Sequence, residues 1–174
     1  FKIEASVIVD NGPSTVLITG ASGLLGANLV RHYAPSSQCI GWYATKPISF
    51  EGATTEQIDL TDHESVSAAL DRIKPDLIVH CAAATDVEWC EKHPDLAKAI
   101  NEDATVYLAQ KAIDLNAKFV FTSTDSVFDG KTGNYSESDT PAPLNSYASG
   151  KVRTEQAVSE INPDALLIRS YFYG

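Results

Sequence analysis

The chain has 174 residues, 44% of them hydrophobic, and a formal net charge of −10 at pH 7; that length and apolar fraction suit one domain around a single sizeable core. The acids are scattered rather than gathered into a tail, so the surface repels nucleic acid and anionic membrane. No apolar run nears the ~20 residues that span a bilayer and no basic-then-apolar leader opens the chain, so a cytoplasmic protein with no nucleic-acid and no membrane partner is expected.

Residues 1–14 form an arm of unassigned role: Phe1 to Val9 alternates roughly as a strand before the Asn11-Gly12-Pro13 turn. From Thr15 onward, strand-like runs alternate with amphipathic stretches of helical length, the pattern of a doubly wound, mainly parallel sheet with helices on both faces, an α/β Rossmann domain over residues 15–174. The predicted elements are a strand at Val16–Thr19, a helix from Gly23 to Tyr33, and strands at Gln38–Tyr43 and Glu56–Ile58. A helix from Asp62 to Ile73 follows, its start carrying the Thr61/Glu64 capping-box spacing. Next come a strand at Leu77–Cys81, one helix from Pro94 to Leu115, and a strand at Lys118–Thr122. Asp125 to Asn145, rich in Gly, Pro, Ser, Asp and Thr, is a long ordered loop of the kind that carries function. A helix from Tyr147 to Ile161 and a strand at Ala165–Ser170 complete the series.

Gly20-x-x-Gly23-x-x-Gly26 sits between the first strand and the first helix. Small residues there let the backbone turn tightly and approach a pyrophosphate, and the helix N-terminus offers free N–H groups to the anion. Ser22, Leu24 and Leu25 belong to the same cradle. Base selectivity is read after the second strand, where a carboxylate binds a ribose 2′-hydroxyl and a cation accepts a 2′-phosphate. That stretch, Gly41 to Lys46, has no acid. Lys46, with Arg31 as a second candidate, therefore favours NADP over NAD, unless both are simply solvated surface charges. Asp59 and Leu60 are placed to meet the adenine, or Asp59 merely starts the next turn.

Tyr147 and Lys151 are four apart on the predicted helix and share a face. A lysine beside a phenol stabilises tyrosinate and lowers its pKa from about 10 toward neutrality, which would make Tyr147 a general acid or base. Thr122, Ser123 and Thr124 end the fifth strand, and strand C-termini are where open α/β sheets hold ligands; a hydroxyl there can bond a substrate oxygen, or only cap a turn. Cys39, Cys81 and Cys90 are expected to be reduced. His32, His63, His80 and His93 share no ligand spacing, so no metal site is expected, with His80 a satisfied core residue and Cys90 to His93 a loop at a helix edge. Trp42 and Trp89 read as packing residues before ligand covers.

With these residues assembled, the chain resembles the extended short-chain dehydrogenase/reductase superfamily, and within it the dTDP-4-dehydrorhamnose reductase-like branch. The carrying segments are the glycine loop, Ile58–Asp62, Val79–Val87, Ser123–Gly130, Pro143–Lys151 and Leu167–Gly174. The resemblance implies an NADP- or NAD-dependent oxidoreductase acting on a nucleotide-linked keto-sugar. It implies that Ala82 and Ala83 pack under the cofactor, with Cys81, Ala84 and Thr122 beside them, and that Asn101 braces the site. Thr124, Tyr147 and Lys151 would be the catalytic set, with Lys151 also on the nicotinamide ribose. Ser126 stands where these reductases carry a tyrosine, and their sugar-binding region lies mainly beyond the sixth strand, so the chain is expected to be the cofactor half of a longer one. Extended reductases are often homodimers through the helix carrying Tyr147. The branch also includes sugar-nucleotide epimerases and resembles the regulatory β subunit of methionine adenosyltransferase, in which the same fold binds NADP and serves an enzyme partner.

Overall fold

Val16, Leu17 and Ile18 are all fully buried, the condition of a strand covered by helices on both faces. In the computed structural model, which describes residues 12–172, they form β1 (Thr15–Thr19). The remaining strands are β2 (Gln38–Tyr43), β3 (Ala53–Gln57), β4 (Leu77–His80), β5 (Lys118–Thr122) and β6 (Leu166–Ile168). They make one sheet in the order β3-β2-β1-β4-β5-β6, every pair parallel.

Alternation along the strands divides the core in two. Val16, Ile18, Cys39 and Val79 pack under α1 (Leu24–Tyr33) through Val30. On the opposite face, Leu17, Ile40, Ile78, Phe119 and Phe121 meet Leu70 of α2 (His63–Ile73), Leu108 of α5 (Ala104–Asp114) and Val158 of α6 (Ser146–Ile161). Removing each such side chain from water stabilises the fold by about 1.5–3 kcal/mol. Between β1 and β4 the winding reverses direction, and the crevice outside the carboxyl ends of these strands is the ligand position of an open α/β sheet.

Several local expectations change. The third strand starts earlier than Glu56 and ends at Gln57. Helix α2 is capped by Asp62, whose side chain accepts from the Ser65 amide at 3.1 Å; Thr61 instead donates its amide and hydroxyl to Asp59 Oδ1, at 2.9 and 2.7 Å, so the Thr61/Glu64 box does not form. Residues expected as a loop form α3 (Val87–Lys92), capped by Asp86 through the Trp89 amide. The single helix expected from Pro94 is α4 (Pro94–Lys98), a π-helical turn (Ala99–Asp103) and then α5. Asp125–Val127 is a single 3-10 turn in the long loop, and β6 is shorter than its apolar run. The strand expected at Phe1–Val9, and Tyr173 with Gly174, lie outside the described residues. Among the described residues, no helix is long and apolar enough to cross a membrane, and no group of three or more His, Cys, Asp or Glu could hold a metal ion.

Candidate active site

Two positions of the β1–α1 cradle, Gly20 and Gly26, admit only glycine. Gly20 has φ 69°, and a Cβ on it would lie 2.7 Å from the Ala82 amide nitrogen. A Cβ on Gly26 would collide with the Gly20 carbonyl. Gly23 begins α1 with no side-chain cap, and no acid stands in the first turn, so the helix presents free N–H groups and a partial positive charge to an incoming anion. This donor set fits a dinucleotide pyrophosphate.

Two clefts meet at this loop. One, of about 340 Å³, is bordered by Gly20, Trp42, Asp59, Leu60 and Ala82. Its apolar wall suits an adenine, but Asp59 Oδ1 is already engaged by Thr61, so the turn role of Asp59 is present in the structure. Trp42 is also part of the core, and Trp89 stacks on His93 at 4.8 Å, away from both clefts. Lys46 is exposed and does not line the cleft, and Arg31 lies over the Phe50 ring, 5.3 Å from its centroid. Arg31 thus sits in the last turn of α1 and, like Lys46, does not line the cleft.

The other cleft, of about 450 Å³, brings Gly20, Gly23 and Gly26 together with Thr124, Tyr147 and Lys151. Ser22 is exposed on the loop, and Leu24, Leu25, Cys81, Ala83 and Thr122 complete parts of the wall. Asn145 caps α6 by accepting from the Ala148 amide at 2.8 Å, which fixes where Tyr147 leaves the helix. Thr124 is 7% exposed; its hydroxyl accepts from the Ser126 amide at 3.2 Å and so caps the 3-10 turn while facing the cleft.

Lys151 is buried, and its Nζ donates to the Thr122 carbonyl at 3.0 Å. It stands 4.6 Å from the Phe121 ring centroid and 5.9 Å from that of Tyr147. Burial lowers its pKa to about 8, with Cys81 and Glu155 opposing. The Tyr147 phenol is not lowered toward neutrality as expected; burial raises it above the ordinary tyrosine value, and the nearby charges of Cys90 and Asp125 add to this. The reason is geometric: the ammonium is spent on a backbone carbonyl rather than on the phenol.

Behind the cleft His80 and Asn101 are joined through two threonines that the sequence did not single out. Ala82 donates its amide to Thr19 Oγ1 at 3.2 Å, and Thr19 meets His80 Nδ1 at 2.7 Å. His80 Nε2 lies 2.9 Å from Thr105 Oγ1, whose own proton goes to the Asn101 carbonyl at 2.8 Å. Nε2 must therefore carry the imidazole proton. Burial, with the Lys151 charge as a second cause, drops the His80 pKa to about 3 and keeps the ring neutral. Asn101, carried by the π turn, closes the circuit: its side chain donates to the Ala84 carbonyl at 2.9 Å and accepts from the Ala84 amide at 2.7 Å. Ala82 to Ala84, which line the first cleft and through Ala83 reach the second, are thus held at each end. His80 was expected as a satisfied core residue and Asn101 as a brace, but nothing in the sequence joined them through Thr19 and Thr105.

Residues 14–174 match the family model described as RmlD substrate binding domain. The chain belongs to that family. It is 42% identical over 160 residues to the probable low-salt glycan biosynthesis reductase Agl14 of Haloferax volcanii, covering 90% of this chain and 53% of the relative. It is 37% identical over 169 residues to methionine adenosyltransferase 2 subunit beta of Bos taurus, covering 96% and 48%. Among solved structures, dTDP-4-dehydrorhamnose reductase from Bacillus anthracis in complex with NADP superposes with a TM-score of 0.79 at 33% identity, over 92% of this chain and 55% of that one. This RmlD-family chain thus spans about half the length of the curated relatives it matches.

Proposed function

We propose that this RmlD-family chain is the cofactor-binding and proton-transfer half of an NADP-dependent reductase acting on a nucleotide-linked keto-sugar. The observation that carries the reading is the shared cleft: the pyrophosphate cradle and the Thr124, Tyr147 and Lys151 side chains face one space. When bound, a reduced nicotinamide dinucleotide supplies the hydride. Tyr147 then holds the proton delivered to the substrate oxygen, and its raised pKa keeps that proton on the phenol at neutral pH. Thr124 hydrogen-bonds the same oxygen and orients the carbonyl. Lys151 adds positive charge beneath the cleft and anchors the end of β5. Asn101 holds the Ala84 backbone against which the cofactor rests. Asp59 and Leu60 border the adenine, and Lys46, exposed beyond β2, supplies the cation for a 2′-phosphate, favouring NADP over NAD.

The test is hydride transfer by the full natural chain: NADPH oxidation with a panel of nucleotide-linked 4-keto-sugars, compared with NADH. Turnover supports the reading, and substrate-independent silence contradicts it. A second reading, a non-catalytic NADP-binding regulatory subunit with an enzyme partner, is favoured by the similarity to methionine adenosyltransferase 2 subunit beta, by Ser126 in place of a tyrosine, and by a lysine aimed away from the phenol. NADPH binding without transfer to any sugar, together with stable association with a methionine adenosyltransferase catalytic subunit, would select it. An epimerase would instead interconvert sugar nucleotides with no net consumption of NADPH.

A further inference from the structure

Glu155 stands one turn beyond Lys151 on α6 and is 5% exposed. A buried carboxylate is costly unless paired, and even a buried ion pair often adds no stability over apolar packing; its presence calls for something it holds. Arg169, just past β6, donates to Glu155 Oε2 through Nη2 at 2.7 Å and through Nε at 3.1 Å. Ser123 donates its hydroxyl to Glu155 Oε1. The same Ser123 donates its amide to the Ile168 carbonyl at 2.8 Å, while its neighbour Thr122 accepts from Lys151. Two successive residues of the β5 exit are therefore pinned to two residues one turn apart on α6, and Arg169 ties that pair to the end of β6. Thr124 is the next residue along. Arg169 also lies over the Phe128 ring, 5.1 Å from its centroid, which fastens the loop that follows Thr124 to the same point.

We propose that Glu155, locked by Arg169 and Ser123, is a positioning residue that fixes the Ser123–Thr124 exit of β5 against α6 and, one turn beyond Lys151 on the same helix, supports the charge of the Lys151 ammonium. As a role in the catalytic step it rests on the reductase reading; as a charge relationship between Glu155 and Lys151 it does not. The groups facing Lys151 are Tyr147 and Glu155 on its own helix and His80 and Cys81 at the end of β4; those facing Glu155 are Arg169 and Ser123, with Glu137 the other acid beside Arg169. Burial is what pulls Lys151 down, and Glu155 is one of the two charges that resist it.

The experiment is the titration of Lys151, read by the NMR shift of its Cε group in the full natural chain and assigned by loss of the signal in Lys151→Arg. Glu155→Gln keeps the side-chain shape and removes the charge, and the Lys151 midpoint is expected to fall by about one pH unit. In a catalytically active protein the alkaline limb of kcat falls by the same amount while KM for NADPH is little changed. An unmoved midpoint in a folded Glu155→Gln protein overturns the proposal and leaves Glu155 as a strut. If that variant does not fold, Arg169→Gln decides: it frees the carboxylate for Lys151, so the midpoint must rise, and no change or a fall overturns the proposal. Absence of turnover in the wild-type protein refutes the reductase reading instead, and the midpoints still decide the clamp.

Discussion

Lys151 Nζ donates to the carbonyl of Thr122 at 3.0 Å, and this one bond changes what the Tyr/Lys pair means. The lysine joins α6 to the end of β5, and the phenol is left with a raised pKa in a half-buried site.

The titration of Tyr147 follows from this. The ultraviolet difference between wild type and Tyr147→Phe, followed against pH in the protein without cofactor, should show a phenol that ionises above the ordinary tyrosine range. Ionisation near neutrality would mean that the ammonium turns to the phenol in solution.

Gly26→Ala should cost about 1–3 kcal/mol of stability, because the new methyl meets the Gly20 carbonyl and cannot be relieved by a rotamer change. Its effect on NADPH affinity should exceed that of Gly23→Ala, where the nearest atom is 3.3 Å away. Chemical denaturation and NADPH fluorescence titration measure the two quantities. Equal effects at the two positions would count against the cradle.

His80 gives stability a pH signature. Its folded pKa of about 3 lies below the unfolded value of 6.5, so between these values the unfolded chain binds the extra proton. The stability due to a neutral His80 is complete above pH 6.5 and is lost as pH falls through the window, with a limiting slope of about 1.4 kcal/mol per unit. His80→Gln should be less stable at pH 7 and flatter between pH 6.5 and 5, above the range where most carboxylates titrate. Parallel curves for the two proteins would show that His80 is already protonated or exposed.

Asp62→Ala should lower the melting temperature through loss of the α2 cap, and Thr61→Ala should lower it by less. Thermal melts of the two variants test the assignment; the reverse order would restore the cap to Thr61.

The strands Gln38–Tyr43 and Lys118–Thr122 occur where their apolar runs, bounded by polar turn residues, placed them. The glycine loop was legible for the same local reason: steric demands at Gly20 and Gly26 involve backbone close in the chain or at the neighbouring strand exit. The π turn was not. It depends on Asn101 reaching Ala84, a contact made only once the sheet is assembled, and helical periodicity runs through it unbroken. The cap of α2 was misplaced because Thr61, Asp62, Glu64 and Ser65 offer two overlapping caps, and Asp59 captures Thr61. Within the site, the residue types and their order were readable, whereas the direction of the Lys151 ammonium depends on the depth at which α6 packs. Glu155 carried no signal in the sequence: its importance comes from Arg169, a partner that lies just past β6 and is distant in the chain.

Proton delivery by Tyr147 in an NADPH-dependent reduction at this cleft, as proposed, is tested most directly by single-turnover NADPH oxidation with a nucleotide-linked 4-keto-sugar such as dTDP-4-dehydrorhamnose, using the full natural chain and its Tyr147→Phe variant. The wild type should oxidise NADPH, and Tyr147→Phe should bind it with nearly unchanged affinity and lose turnover by about 10²–10⁴-fold. Equal rates in the two proteins would contradict it.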